Sequence, residues 1–465
     1  MKRSDRCTWL SAIFNQIWIW TLVALISVPA ALSTPGCTCQ PDPKAKSKKE
    51  KEEEARKKKE EEKKKKEKPK TDNESKSTMK VLPNDGNLIQ RLKPNHWVSV
   101  SQSMRANNRD FAGEVTWKPV KVDGRQPPLD RTGYRITMSR PLNLSKEARK
   151  PKDVEMTLFA PDSVTEKNYS KTNYTAEFTQ GGSRRRTGTE LFSRLEGHEY
   201  FLLVLANDPD RYRYLMHMDS VKPPVGDDFK QEAKYYEILL PKITKRVPVS
   251  STVLTWTNTA YILWDDLNPD LLSSEQRQAM LDWLHWGGQL LVSGPESLDS
   301  LQGSFLEPYL PVAAGTTIQL AEGDLAKIDR IWTKPYTKMD SHWLSKKKRQ
   351  WSGVALERTG NPMVPLVTTP DGEPLVVEGQ VGRGRIVVTA FRLRERELIN
   401  WPGYDGFFNN CLLRRPSRVY SKSGEFDELQ LDWRKPQRGE TVTPARLDPR
   451  VSTRMRIFSR DAGYT

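Results

Sequence analysis

Cysteine is almost missing from these 465 residues: there are four, and no two lie at zinc-finger spacing. That excludes a disulfide-stapled mini-domain and a structural zinc site as the organising principle. Histidine is nearly as scarce, and His96, His198, His217, His285 and His342 fall into no catalytic or metal-binding motif. Apolar residues are also short, at 36% against 29% charged, so part of the chain lies outside any core. Acidic residues number 59 against 75 basic ones, a formal charge of +16. The excess is local, because Lys44 to Lys70 alone holds 15 basic and 8 acidic residues. The rest is only mildly basic, and a nucleic-acid protein is not the first reading. What the chain does have is length, enough for two or three domains.

Lys2, Arg3 and Arg6 precede an apolar stretch from Trp9 to Leu32, interrupted by Asn15 and Gln16. About 20 apolar residues cross a bilayer, so residues 1–33 are expected to form a transmembrane signal anchor. A basic start, an apolar run and the small-residue site Ala31-Leu32-Ser33 equally describe a cleaved signal peptide. Thr34-Pro35-Gly36-Cys37 offers a third reading, a lipid-modified cysteine. Charge leaves the orientation open, because Lys44, Lys46, Lys48, Lys49 and Lys51 compete with the three N-terminal charges. The expectation is a single-pass membrane protein with its bulk extracytoplasmic. Residues 34–77 form a spacer rich in Lys and Glu. Glu52, Glu53 and Glu54 stand four residues before Arg56, Lys57 and Lys58, and Glu60, Glu61 and Glu62 four before Lys64, Lys65 and Lys66. Such pairs support a solitary helix. A disordered tether, or a basic strip for anionic lipid or nucleic acid through Lys44 to Lys70, are the other readings. Pro69 to Ser77 reads as an unstructured joint.

Residues 78–198 alternate with period two, in Trp97-Val98-Ser99-Val100, Glu114-Val115-Thr116-Trp117, Tyr134 to Met138, Val154 to Leu158 and Tyr174 to Phe178. Alternation places one face in a core and the other in water. Turn residues at 107–110, 122–124 and 180–182 separate the runs. The pattern predicts an antiparallel β-sandwich of immunoglobulin type, a kind of module that binds or spaces. Arg184-Arg185-Arg186 reads as a solvated hairpin tip.

The character changes in residues 199–415. Phe201 to Ala206, Tyr236 to Leu240, Tyr261 to Trp264 and Leu290 to Val292 are apolar runs suited to strands buried on both faces. Between the last two, Ser273 and Gln276 make a capping box, Ala279, Met280, Trp283, Leu284 and Trp286 carry helical spacing, and Gly287-Gly288 ends the helix. Strand, helix, strand predicts a parallel βαβ unit. Pro374 to Glu378 and Arg385 to Phe391 flank Val381-Gly382-Arg383-Gly384 and predict a hairpin, with no third glycine for a dinucleotide loop. Asn400 to Leu413 reads as a closing helix, and residues 416–465 as a polar tail.

Tyr261 to Asp265, SSEQRQAMLDWLHWGGQLLVSG from Ser273 to Gly294, and GEPLVVEGQVGRGRIVVTAF from Gly372 to Phe391 resemble the class I glutamine amidotransferase-like superfamily. The likeness is to its catalytically silent members in bacterial membrane-associated proteins. It implies an α/β flavodoxin-like domain preceded by the antiparallel β-sandwich and the N-terminal transmembrane helix. Active members carry a cysteine at a strand-to-helix elbow; here Val292 leads into Ser293-Gly294-Pro295-Glu296, with no matching nucleophile.

Ligands in open α/β sheets sit at the carboxyl ends of strands, which singles out Asp208, Asp265 and Asp266 as metal candidates, with Asp210 and Ser293 beside them. Asp208 before Pro209, and Asn268 before Pro269, are also helix N-caps. The expectation is a non-enzymatic, membrane-anchored envelope protein that binds a protein partner or scaffolds an assembly, without cofactor or nucleic acid. The alternatives are a metal-dependent hydrolase using the three aspartates, and an anionic binder through Lys44 to Lys70.

Overall fold

The structure is a computed structural model. It describes residues 73–75, 79–86, 90–120, 125–128, 133–148, 150–161, 171–180, 183–222, 234–243, 245–320, 323–324, 328, 351–415, 418–423 and 428–433. The readings of Trp9 to Leu32, Cys37 and Lys44 to Lys70 lie outside these residues. Among the described residues no helix is long and apolar enough to cross a membrane.

The first nine strands make two sheets. β1 (Asn73–Ser75), β2 (Lys80–Leu82), β3 (Arg91–Leu92), β4 (Trp97–Ala106), β5 (Phe111–Val120), β6 (Met138–Leu144), β7 (Lys152–Phe159), β8 (Lys171–Gln180) and β9 (Ser183–Arg194) follow in order. β4 carries β1 and β2 end to end on one edge and β7 along the other, all antiparallel. The facing sheet runs β3-β9-β8-β5-β6, with β3 parallel to β9. One apolar cluster joins them, drawing Val98, Val100, Met104 and Leu158 from the first sheet and Phe111, Val115, Trp117 and Phe178 from the second. Trp117 is fully buried, Phe111 and Phe178 meet edge to face at 5.2 Å, and the Tyr174 hydroxyl donates to the Phe159 carbonyl at 2.8 Å. That last bond ties the start of β8 to the end of β7 across the sandwich.

Two readings change here. The run Tyr134 to Met138 is not a strand: β6 begins at Met138, and Tyr134 is 74% exposed. Its alternation has no sheet to serve, because β6 pairs with β5 only from Met138, opposite Trp117. The joint Pro69 to Ser77 contains β1, whose polar residues pair with Ala106, Arg105 and Met104. β4 outruns β2, and the free edge it leaves holds a segment with no hydrophobic signal of its own.

The second group comprises β10 (Tyr200–Ala206), β11 (Tyr236–Leu239), β12 (Thr259–Asp265), β13 (Gln289–Ser293), β14 (Val312–Leu320), β15 (Trp351–Arg358), β16 (Met363–Thr368), β17 (Pro374–Val381) and β18 (Gly384–Thr389). Seven of them form a sheet in the order β11-β10-β12-β13-β18-β17-β16. The first five are mutually parallel; β17 and β16 return antiparallel at one edge. Every residue of β10 and β12 is buried, as parallel strands covered on both faces require. α1 (Ser274–His285) crosses from β12 to β13 with the capping box at Ser273 and Gln276 in place. It packs so closely that a Cβ on Gly384 would stand 1.9 Å from the Leu284 carbonyl oxygen, so only glycine fits where the hairpin passes the helix end.

α2 (Glu296–Leu301) follows β13. A short helix α3 (Arg396–Ile399) precedes the expected closing helix, whose first residues, Asn400 to Gly403, are not helical. The closing helix begins at α4 (Tyr404–Phe407), after Pro402, which supplies no backbone N–H, and runs on as a π turn at Phe408–Leu412. The aromatics of this segment, Trp401, Phe407 and Phe408, are buried as the spacing requires. β14 and β15 pair as a separate two-stranded sheet that sequence reading did not find. β19 (Arg418–Ser423) and β20 (Glu428–Trp433) form a hairpin in the stretch read as polar tail.

The sandwich is seated on the α/β part through polar contacts. Arg91 pairs with Glu237 at 2.5 Å, and Lys93, buried to 1%, donates to the Gly197 and Glu199 carbonyls at 2.7 Å beneath the Tyr200 ring. The Glu155 carboxylate accepts from Ser99 (2.6 Å), Ser250 (2.9 Å) and Ser251 (3.3 Å). Trp117→Ala is expected to cost about 3–5 kcal/mol, whereas Trp286→Ala, at a side chain 58% exposed, is expected to stay within about 0.5 kcal/mol. Urea midpoints of the two variants check the contrast.

Candidate functional site

Where a parallel sheet ends, the strand carbonyls and the first loop residues gather at one rim, and this is where chemistry belongs in such folds. Asp265 closes β12, Ser293 closes β13, Thr389 closes β18, and Asp208 stands two residues beyond β10. Asp265 is only 1% exposed. Arg394 approaches it at 3.3 Å (Nε to Oδ2), and the fully buried Tyr212, from the 3-10 helix Pro209–His217, lies beside it. The Tyr212 hydroxyl and Asp265 Oδ1 make no well-formed hydrogen bond. Burial pushes the Asp265 carboxyl above the usual carboxylate range, while Arg394 and Tyr212 pull the other way. Burial, and then the Asp265 charge, push the Tyr212 phenol well above its ordinary value.

Ser293 has no exposed surface, and its Oγ accepts from the Leu393 amide at 3.0 Å. Thr389 Oγ1 donates to the Phe391 carbonyl at 2.7 Å, and the Gly294 amide donates to the Thr389 carbonyl at 3.1 Å. The Tyr214 and Tyr404 hydroxyls share a hydrogen bond at 2.8 Å, one donating to the other, and both lie within reach of the Leu393 carbonyl, at 3.2 and 3.3 Å. The strand-to-loop passage after β18 is thus stitched down from three sides. Arg392 completes the rim by pairing with Glu296 and, at 3.4 Å, with Glu395. Burial raises the Glu296 carboxyl, but the Arg392 hydrogen bonds outweigh it and hold the group below its ordinary value.

The three aspartates do not converge. Asp208 points to the surface, 51% exposed, and pairs with Arg211 at 2.8 Å. It precedes Pro209 at the helix start but makes no side-chain cap bond, unlike Asn268, whose side chain accepts from the Asp270 amide at 2.9 Å. Asp266 adopts φ 52°, and its amide donates to Ser297 Oγ at 2.8 Å. Asp210 is taken by Arg213 and Lys242. Among the described residues no three His, Cys, Asp or Glu side chains are grouped to hold a metal ion. Cys411 is buried in the π turn. Sequence reading missed Tyr212, Tyr214, Tyr404, Arg392 and Arg394. The alternating arginines of Arg392-Leu393-Arg394, directly after a buried strand, were the available signal.

No protein-family model matches the chain, and no curated protein matches it. Solved structures similar to it include a cytoplasmic protein from Salmonella typhimurium LT2, at 15% identity and TM-score 0.30, covering 51% of this chain and 92% of that one. An exo-β-1,4-mannosidase from Opitutaceae bacterium strain TAV5 has 17% identity and TM-score 0.22, with 38% and 27% covered. An alkylpurine DNA glycosylase from Pseudomonas fluorescens has 11% identity and TM-score 0.18, with 27% and 31% covered. At these scores the likenesses carry no argument about activity.

A carboxyl whose pKa is raised on folding contributes stability below its unfolded value, near 3.8, and that contribution is lost as pH rises through the folded value. Across that window Asp265 is therefore expected to add a component to the urea midpoint that falls with rising pH, opposite in sign to that of Glu296. In Asp265→Asn this component of the slope disappears; an unchanged slope contradicts the assignment.

Proposed function

We propose that the chain is a membrane-anchored, non-enzymatic binding or scaffolding protein of the cell envelope, built from an immunoglobulin-like sandwich and a degenerate amidotransferase-like α/β domain. One observation carries the reading. At the rim where such a sheet presents its reactive groups, Asp265 and Ser293 are buried and bound to Arg394 and the Leu393 amide, so neither faces a substrate. The strand order supports the architecture. In chain order the four strands β10 to β13 stand 2-1-3-4 with β18 next, the arrangement of doubly wound flavodoxin-type sheets. The fully buried Trp117 on β5, the second long strand of the sandwich, supports the immunoglobulin-like reading.

The anchor rests on Trp9 to Leu32, and the orientation on secretory architecture. Cell fractionation with protease shaving tests both: the chain is expected in the membrane fraction and cut from the extracytoplasmic side. Intact protein in the cytosolic supernatant overturns the reading. Calorimetric titration of the full chain with millimolar Mg²⁺ or Ca²⁺ is expected to give no binding heat. A saturable heat abolished by Asp265→Asn supports the hydrolase instead.

A further inference from the structure

Among the described residues β6 pairs with β5 alone and β7 with β4 alone, so each lies at an edge of its sheet. Between them lies an open cleft of about 580 Å³, walled by Arg140, Asp153, Glu155, Thr157 and Ser251, with Met138 at its apolar floor. The two edges differ. β6 carries Pro141, which blocks further pairing, whereas β7 has no proline and pairs with β4 over eight residues without a bulge.

The direction of the β7 backbone groups follows from two bonds. Just past the strand, the Ala160 amide donates to the His96 carbonyl, so the even-numbered residues turn their backbone groups toward β4. On the other side, Arg140 donates to the Glu155 carbonyl, so the odd-numbered residues turn theirs toward the cleft. Asp153, Glu155 and Thr157 thus offer a row of N–H and C=O groups to the cleft, with Arg140 held across the middle one. Further on, the Phe159 carbonyl is taken by Tyr174.

We propose that this edge is a strand-addition site for an extended segment of a partner protein carrying alternate apolar and basic side chains. The reading deepens the binding role above and rests on it. An added strand lays one set of side chains over the core edge at Met138 and Met156, each 8% exposed, which calls for apolar residues. The other set lies beside the Asp153 and Glu155 carboxylates, which calls for basic ones. Main-chain bonds supply affinity in this mode, and the alternate side chains supply selection. Arg140 acts as a latch: the incoming amide must take the carbonyl that its guanidinium holds.

Binding of a fluorescent nine-residue peptide of alternating valine and lysine to the purified full chain, followed by anisotropy, tests the site. The same peptide N-methylated at alternate residues keeps its charge and loses its edge donors. It is expected to bind at least about tenfold more weakly. Thr157→Pro removes one outward N–H without touching the β4 ladder and is expected to weaken binding by a similar factor, with circular dichroism unchanged. Arg140→Ala, an exposed change, is expected to strengthen it. Equal binding of the methylated and unmethylated peptides reduces the effect to charge attraction and overturns the proposal, as does absence of binding to Arg140→Ala. If the chain shows no binding yet also takes up no metal, the strand site falls alone; a metal heat that depends on Asp265 overturns the scaffold reading whatever the peptide does.

Discussion

Two strands without a polar residue facing water, β10 and β12, set the terms for the α/β part. Such strands persist only if both faces of the sheet are covered, and the covering is α1 and α2 together with the aromatics of the closing segment, Trp401, Phe407 and Phe408. That coverage has an electrostatic cost at the rim. Asp265 terminates a buried strand and is drawn under with it, so its charge has to be met from within, by Arg394. Asp265 and Ser293 are closed off at this rim because the strands that carry them are greasy and draw them under.

The sandwich answers the same problem differently. Its strands alternate, one face inward, so its stability comes from a single shared layer around Trp117 and its outer faces stay polar. On that outer face Glu155 is bound by Ser99, Ser250 and Ser251, while its backbone carbonyl points sideways in the plane of the sheet, into the cleft. One residue therefore serves both the seating of the sandwich and the margin of the open edge.

Much of this was legible in the residues. Apolar runs marked β10, β11, β12 and β13, and the Ser273–Gln276 capping box placed the start of α1 to the residue, because these signals are local and are read from periodicity and cap chemistry alone. The hairpin of β17 and β18 was equally plain. What escaped was decided by neighbours distant in sequence. β1 is polar and short, and exists because β4 leaves an edge for it. Tyr134 to Met138 alternates convincingly yet meets no partner. β14 and β15 pair across a long excursion that no local pattern announces. For the site, the aspartates were visible as residue types, but their divergence was not: whether Asp208 faces water and Asp265 faces Arg394 depends on the loop after β18, about 130 residues beyond Asp265 in the chain.

Lys93 shows what the junction implies for handling the protein. Its ammonium is sealed between two carbonyls and a tyrosine ring, so an amine-directed reagent reaches it only when the sandwich lifts away from the start of β10. In a chain crowded with reactive lysines, this one is a built-in gauge: its labelling reports separation of the two halves while each remains folded.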